Sequence, residues 1–197
     1  NSARNLISIA VLTDAHITRI EKAAEIFING TDKYLSYVLK TNILASLSAS
    51  DKIKAIDYGK INVEKLETSK TPHAKVLHIR FLTELRLPYR TSSKVSEGLA
   101  FFAEKLNSYK KNNDSSGINN CYYVLSGFYR TIGLYEQAIY NMKKSISYID
   151  SSLIGERFFG IEPRNTKAIW INNTGVLSDF YLQMGDYEKA IETGETS

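Results

Sequence analysis

One phrase occurs twice in the second half of the chain. The stretch GFYRTIGLYEQAIYNMKKS, from Gly127 to Ser145, recurs as SDFYLQMGDYEKAIETGETS, from Ser178 to Ser197. Both contain Phe-Tyr, then a glycine, then Tyr-Glu, one variable residue and Ala-Ile, and corresponding positions lie 52 residues apart. A phrase repeated at a fixed distance indicates one structural unit that the chain uses more than once.

Each copy predicts a hairpin of two helices. Apolar and small residues recur at helical spacing before Gly133 and again after it, and the same order surrounds Gly185. Glycine commonly ends a helix because it adopts the left-handed conformation without strain. We expect Ala138 and Ala190 to be buried where the two helices of each hairpin cross. Each hairpin has apolar residues on more faces than it can cover alone, so stacked neighbours must complete the burial.

The repeated positions resemble the tetratricopeptide repeat. The residues that carry the resemblance are Leu125, Ser126, Tyr129, Gly133, Tyr135 and Ala138, with their counterparts in the second copy. Ser126 and Ser178 replace the usual glycine of that family, and Tyr122 and Thr174 replace its tryptophan. The family's period is about 34 residues, so an insertion must account for the remainder. It lies after Asp150, either as a loop or as a lengthened first helix that starts near Arg164.

Weaker copies extend the pattern upstream. Small residues that correspond to Ala138 recur along the chain at Ala23, Ala55, Gly98 and Ala190. We therefore predict an all-α fold, a right-handed α-solenoid of about five stacked hairpins that forms a single domain over residues 1–197. The clearest repeats are 119–150 and 165–197, and Pro88 is expected in a turn between weaker helices. Because the helical pattern continues to the last residues without a cap, we expect the chain to be part of a longer protein.

Charge and composition favour neither nucleic acid nor membrane as a partner. The net charge is +4, from 25 basic and 21 acidic residues that are spread evenly rather than concentrated on one face. The longest apolar run, Leu6 to Leu12, is much shorter than a membrane span. Cys121 has no second cysteine to pair with, and it reads as a buried structural thiol. These features leave the cellular compartment open.

No pattern of catalytic or metal-binding residues stands out. His73 and His78 are five residues apart, which misses the helical spacing of a zinc pair, and His78 falls on an apolar stripe typical of a core histidine. His16 reads as a cap or turn residue. No phosphate-binding loop or pair of acidic catalytic groups is recognisable. We therefore predict a protein that is not an enzyme and has no cofactor, no metal and no catalytic residue.

A binding role has better support, because the first helix of each hairpin in the tetratricopeptide family lines a concave groove. Side-chain amides suit an extended peptide backbone, since each provides a donor and an acceptor. Asparagine near a helix start is also commonly a cap, and for Asn120 both interpretations stay open. The predicted groove residues for a protein or peptide segment are Asn120, Tyr123, Arg130, Asn172, Asp179 and Gln183.

Two hypotheses follow. The first is a peptide-binding interaction module, the sensory or regulatory part of a larger bacterial protein. The alternative is a structural scaffold that self-associates as a homodimer or packs against further repeats of its own chain. The lysine and asparagine clamp of chaperone-tail-binding repeats is missing, because Tyr123, Gly127, Gly175 and Asp179 occupy its positions. The insertion, with Phe158 and Phe159, is either a lid over the groove or packing on the outside of the solenoid.

Overall fold

The computed structural model describes residues 12–29, 33–68, 72–149 and 166–195, and within these ranges the backbone is helical, without a strand. The prediction of an all-α fold is confirmed. The helices, numbered α1 to α9 in chain order, are Asp14–Asn29, Lys33–Ser50, Lys52–Glu67, Pro72–Thr91, Val95–Lys111, Ser115–Thr131, Tyr135–Ser147, Thr166–Met184 and Tyr187–Glu195. Contacts divide them between two compact units, Asn1–Lys94 with α1 to α4 and Val95–Ser197 with α5 to α9.

In the first unit, α2 packs against α1, α3 and α4, and α3 and α4 form a close hairpin. Fully buried side chains from α2 and α4, such as Leu47, Phe81 and Leu85, form its core. Gly59 on α3 lies directly against Leu85, and a Cβ at this position would overlap the leucine side chain. The absence of a side chain at Gly59 therefore permits the close approach of α3 and α4.

Three polar side chains inside the first unit, Lys40, Tyr58 and His78, are paired. The Nζ atom of Lys40 lies 3.1 Å from a carboxylate oxygen of Glu21 and 3.4 Å from Oδ1 of Asn62. The Tyr58 hydroxyl donates to the other oxygen of Glu21, and burial raises the pKa of the phenol well above its ordinary value. Nδ1 of His78 lies 3.1 Å from the carbonyl oxygen of Val63, so the prediction of a hydrogen-bonded core histidine is confirmed.

Two details of the upstream prediction are wrong. Pro88 does not form a turn but lies inside α4, which continues to Thr91. Proline removes only one backbone donor, and because the helix ends within a turn of Pro88 the interruption is small. In α1 the fully buried alanine is Ala24, whereas Ala23 is partly exposed, so the small position was placed one residue too early.

In the second unit each helix packs against the next one in the chain, from α5 through to α9. One hydrophobic cluster joins α7, α8 and α9 and contains Ala138, Met142, Leu177, Phe180, Tyr181 and Ala190. Ala138 is 0% exposed and Ala190 is 7% exposed, so the prediction that both are buried is confirmed. The two clearest hairpins are therefore α6 with α7 and α8 with α9.

Helix ends in the second unit follow from the residues at the turns. Gly133 and Gly185 have φ angles of 78° and 79°, the left-handed conformation predicted for them. Asp114 caps the N-terminus of α6, because its carboxylate accepts the backbone N–H of Gly117 at 3.2 Å. Helix α8 begins at Thr166, close to the predicted start of a lengthened first helix. The insertion preceding it, including Phe158 and Phe159, lies outside the described residues.

Candidate functional site

Three of the predicted groove residues meet between α6 and α8. A guanidinium nitrogen of Arg130 lies 3.2 Å from Oδ2 of Asp179, and Nε of Arg130 donates to Oε1 of Gln183 at 3.2 Å. Gln183 also donates to Asp179 at 2.9 Å. We call the surface formed by these side chains and the exposed stripe of α8 the α6–α8 surface. Arg130 and Asp179 thus form an ion pair between α6 and α8.

The guanidinium of Arg130 also lies over an aromatic ring. Its Cζ atom is 5.6 Å from the ring centroid of Phe180, a side chain that is almost fully buried in the hydrophobic cluster. The arginine thus has one face on an aromatic surface and its edge on a carboxylate, which fixes its direction. Because Arg130 and Asp179 are both substantially exposed, water and salt screen their attraction, and a ligand carboxylate can compete with Asp179.

The exposed stripe of α8 continues from Gln183 and Asp179 towards the start of the helix. Asn172 is exposed, and its Nδ2 atom donates to Oδ1 of Asn173 at 3.1 Å. Gly175 lies between Asn172 and Asp179, and apart from the backbone of its own helix and its chain neighbours no described atom lies within 4 Å of the place where its Cβ would be. The backbone of α8 is therefore open to solvent along one turn, with polar side chains before and after it.

The two predicted groove residues near the middle of α6 are less accessible. Asn120 is buried, and it is not the cap of α6, because Asp114 occupies that position. Tyr123 is partly buried and packs against the hydrophobic cluster. The structure thus brings Arg130, Asp179 and Gln183 together and places Asn172 on the same stripe of α8, while Asn120 lies inside the unit.

A buried hydrogen-bond network lies beside the predicted asparagines. Asn119 on α6 donates from Nδ2 to the carbonyl oxygen of Ser145 on α7 at 2.7 Å and lies 3.2 Å from its hydroxyl. Asn173 on α8 donates to the same hydroxyl at 3.2 Å. The sequence predicted no role for these residues. The one signal of a buried polar contact was Ser145, a polar residue on an otherwise apolar stripe of α7. The network ties three successive helices together.

A cleft of about 440 Å³ opens between α7, α8 and α9. The ring of Tyr181 has lysine ammonium groups from two helices near it, at 5.6 Å for Lys143 and 5.7 Å for Lys189. A hydrogen bond to Asp186 raises the pKa of Lys189 and lowers that of the aspartate. The remaining lining residues are Ile146, Trp170, Thr174, Leu177, Glu192 and Thr193.

Two further residues whose side chains could react or bind a metal, Cys121 and His16, lie in structural positions. Cys121 is fully buried in α6, as predicted. His16 lies in the first turn of α1, where its backbone N–H donates to the Thr13 hydroxyl at 3.3 Å. Among the described residues there is no group of three or more histidine, cysteine or acidic side chains placed to hold a metal ion. None of the helices described here combines the length and apolar character needed to cross a membrane.

Comparisons with known proteins found no match to a family model, to a curated protein sequence or to a solved structure. The resemblance to the tetratricopeptide repeat therefore depends on the repeated residues themselves.

Proposed function

We propose that the chain is a protein-interaction module of the tetratricopeptide type that holds a peptide segment of its partner along the α6–α8 surface. Its helices would stack as hairpins in a right-handed solenoid, with α6 and α8 as neighbouring first helices. Two features support this arrangement: the successive packing of α5 to α9 and the ion pair between Arg130 and Asp179. No chemical step is required of such a module.

The observation that carries the proposal is the glycine in the middle of α8. Glycine inside a helix costs about 1 kcal/mol relative to alanine, so its presence calls for a reason. At Gly59 and Gly117 the reason is packing, because a Cβ would overlap Leu85 or Tyr109. At Gly175 no described residue of another helix occupies the place of a Cβ. Close approach of a partner's backbone is a use of glycine that accounts for an unfilled position on an exposed helix.

The neighbouring side chains would hold that segment by complementary polar contacts. The amide of Asn172 is exposed and can donate to and accept from a peptide backbone. Arg130 can exchange Asp179 for an acidic group of the ligand while it keeps its contact with Phe180. We therefore expect an extended segment with one acidic side chain near the Arg130 end of the surface.

A selection from a displayed library of random 12-residue peptides tests this proposal. The enriched peptides are measured against the unaltered chain and against the variant Gly175→Leu, whose side chain would fill the open turn of α8. We expect the variant to fold normally and to lose binding by about tenfold or more, because the ligand's backbone can no longer approach α8. Arg130→Gln should weaken the peptides that carry an acidic residue and leave neutral ones unaffected.

The matched control is Ala45→Leu, which adds the same side chain at an exposed position of α2 in the other unit. Its effect on peptide affinity should be small, since Ala45 is not part of the α6–α8 surface. If peptides bind equally to the unaltered chain and to Gly175→Leu, the α6–α8 surface is not the binding site. If a selection of adequate diversity yields no specific peptide, the interaction-module proposal is wrong.

One observation favours the alternative of a structural scaffold. Tyr187 and Ile191, on the outer face of α9, are large apolar side chains that are mostly exposed. Self-association through this face would bury them. Sedimentation velocity of the unaltered chain and of Ile191→Glu separates the two functions, because a dimer that the substitution dissociates would support the scaffold.

A further inference from the structure

The outer face of α9 carries an apolar pair one helical turn apart. Tyr187 is 65% exposed and Ile191 is 62% exposed, while Ala190 between them points into the hydrophobic cluster. We call Tyr187 and Ile191 the α9 pair. Single exposed apolar residues are ordinary on protein surfaces, so the exposure of the pair alone decides nothing.

The first hairpin shows what covers such a pair. The residues 52 positions earlier are Tyr135 and Ile139 on α7, and both are partly buried. Ile139 packs against the cluster to which α8 contributes three large side chains, Leu177, Phe180 and Tyr181. At this place in the repeat, the isoleucine of the first hairpin thus packs against residues of the next helix. In the second hairpin no described residue covers the α9 pair.

The charges beside the α9 pair differ from those beside its counterpart. Glu188 and Glu195 are exposed and seven residues apart, so both lie on the stripe next to the pair. The position that corresponds to Glu195 is Lys143 on α7. The one cation of α9, Lys189, is engaged by Asp186 at 2.6 Å. The α9 pair therefore has an acidic border where the first hairpin has a mixed one.

We propose that the outer face of α9 binds a basic amphipathic helix of a partner protein, which packs on the α9 pair as α8 packs on α7. The seat provides an aromatic and a branched apolar anchor, and the acidic border selects lysine or arginine beside the partner's apolar stripe. A second copy of the chain fits poorly. Two α9 helices related by a twofold axis would bring Glu188 and Glu195 against the same acidic row.

This surface is separate from the α6–α8 surface, and its test does not depend on the peptide selection described above. The probes are fluorescent 19-residue peptides with the sequence of α8, Thr166–Met184. The basic probe carries Ser178→Lys and Gln183→Lys, which place lysines on the two flanks of the apolar stripe. The acidic probe carries Ser178→Glu and Gln183→Glu. Binding to the unaltered chain is measured by fluorescence anisotropy at low and high salt.

We expect the basic probe to bind about tenfold or more tightly than the acidic probe, and the difference to shrink at high salt because screening weakens attraction to the acidic border. Replacing both Glu188 and Glu195 by glutamine should remove most of the preference. Ile191→Glu should weaken the basic probe by about tenfold or more, since it destroys an apolar anchor at the centre of the seat. Its fold, followed by circular dichroism and thermal melting, should be unchanged.

The matched control is Ile61→Glu on α3, an isoleucine that is 51% exposed on the other unit. Its affinity for the basic probe should equal that of the unaltered chain. The proposal is overturned if neither probe binds, if the two probes bind equally at low salt, or if Ile61→Glu is as damaging as Ile191→Glu. A dimer that Ile191→Glu dissociates would also overturn it, because a second copy would then occupy the seat.

Discussion

The hairpin of α6 and α7 and the hairpin of α8 and α9 have the same residues at their defining positions but different surroundings. Ile139 packs against the hydrophobic cluster, whereas Ile191 is 62% exposed. The inner faces are alike, because Ala138 and Ala190 are both buried and the turns at Gly133 and Gly185 have the same conformation. The repeated phrase therefore determines the hairpin itself, while the next helix determines whether its outer face is covered.

The largest expected effect tests the part that the hairpins share. Phe128 and Phe180 occupy corresponding positions, and each is almost fully buried. We expect Phe128→Ala and Phe180→Ala each to lower the free energy of unfolding by about 3–5 kcal/mol, because each leaves a ring-sized cavity. Urea denaturation of both variants measures the free energy of unfolding. If the loss of stability from one substitution is less than about half of the loss from the other, the inner faces of the two hairpins are not equivalent.

A smaller effect is expected where the helices of a hairpin cross. Ala138 lies between α7 and its neighbours with 0% exposure, so Ala138→Leu should overpack the contact and cost about 1–3 kcal/mol. Ala190→Leu should cost less, because the open side of α9 gives the larger side chain room to adjust. Thermal melting of the two variants checks the order. If Ala138→Leu melts like the unaltered chain, the register of the clearest repeat is wrong.

The smallest effect concerns two adjacent asparagines. Asn173 donates to the buried hydroxyl of Ser145, and Asn173→Ala should cost about 1 kcal/mol, because the hydroxyl keeps its second donor, Asn119. Asn172 is exposed, and Asn172→Ala should change stability by less than about 0.5 kcal/mol. Chemical denaturation of the pair measures the difference. Equal costs would mean that the buried network does not bind α7 to α8.

Much of the fold could be predicted from the sequence, because helical periodicity and turn glycines act locally. The turn at Gly133, the burial of Ala138 and the core position of His78 required no knowledge of distant contacts. Pro88 was misplaced because proline is a weak guide to the last turn of a helix. In α1, where the helical pattern is weak, the buried small residue was predicted at Ala23 and is found one position later, at Ala24.

The candidate site was harder to predict, because exposure depends on how neighbouring helices are placed. Three of the six predicted residues, Arg130, Asp179 and Gln183, are in contact with one another. The spacing also assigned Asn120 to the groove, although this side chain is buried in α6. The buried partners Asn119, Asn173 and Ser145 come from three helices, and no spacing within one helix indicates such a network. The existence of a partner for either surface stays a prediction.

The central claim is that the next helix, and not the repeated residues, decides the fate of the outer face of a hairpin. The most direct measurement compares the stabilities of Ile139→Glu and Ile191→Glu. We predict that Ile139→Glu lowers the free energy of unfolding by about 1–3 kcal/mol or more, because a carboxylate replaces an apolar contact with α8. Ile191→Glu should change it by less than about 0.5 kcal/mol, as at other exposed positions. Equal losses at the two positions, or a larger loss at Ile191, would contradict the account.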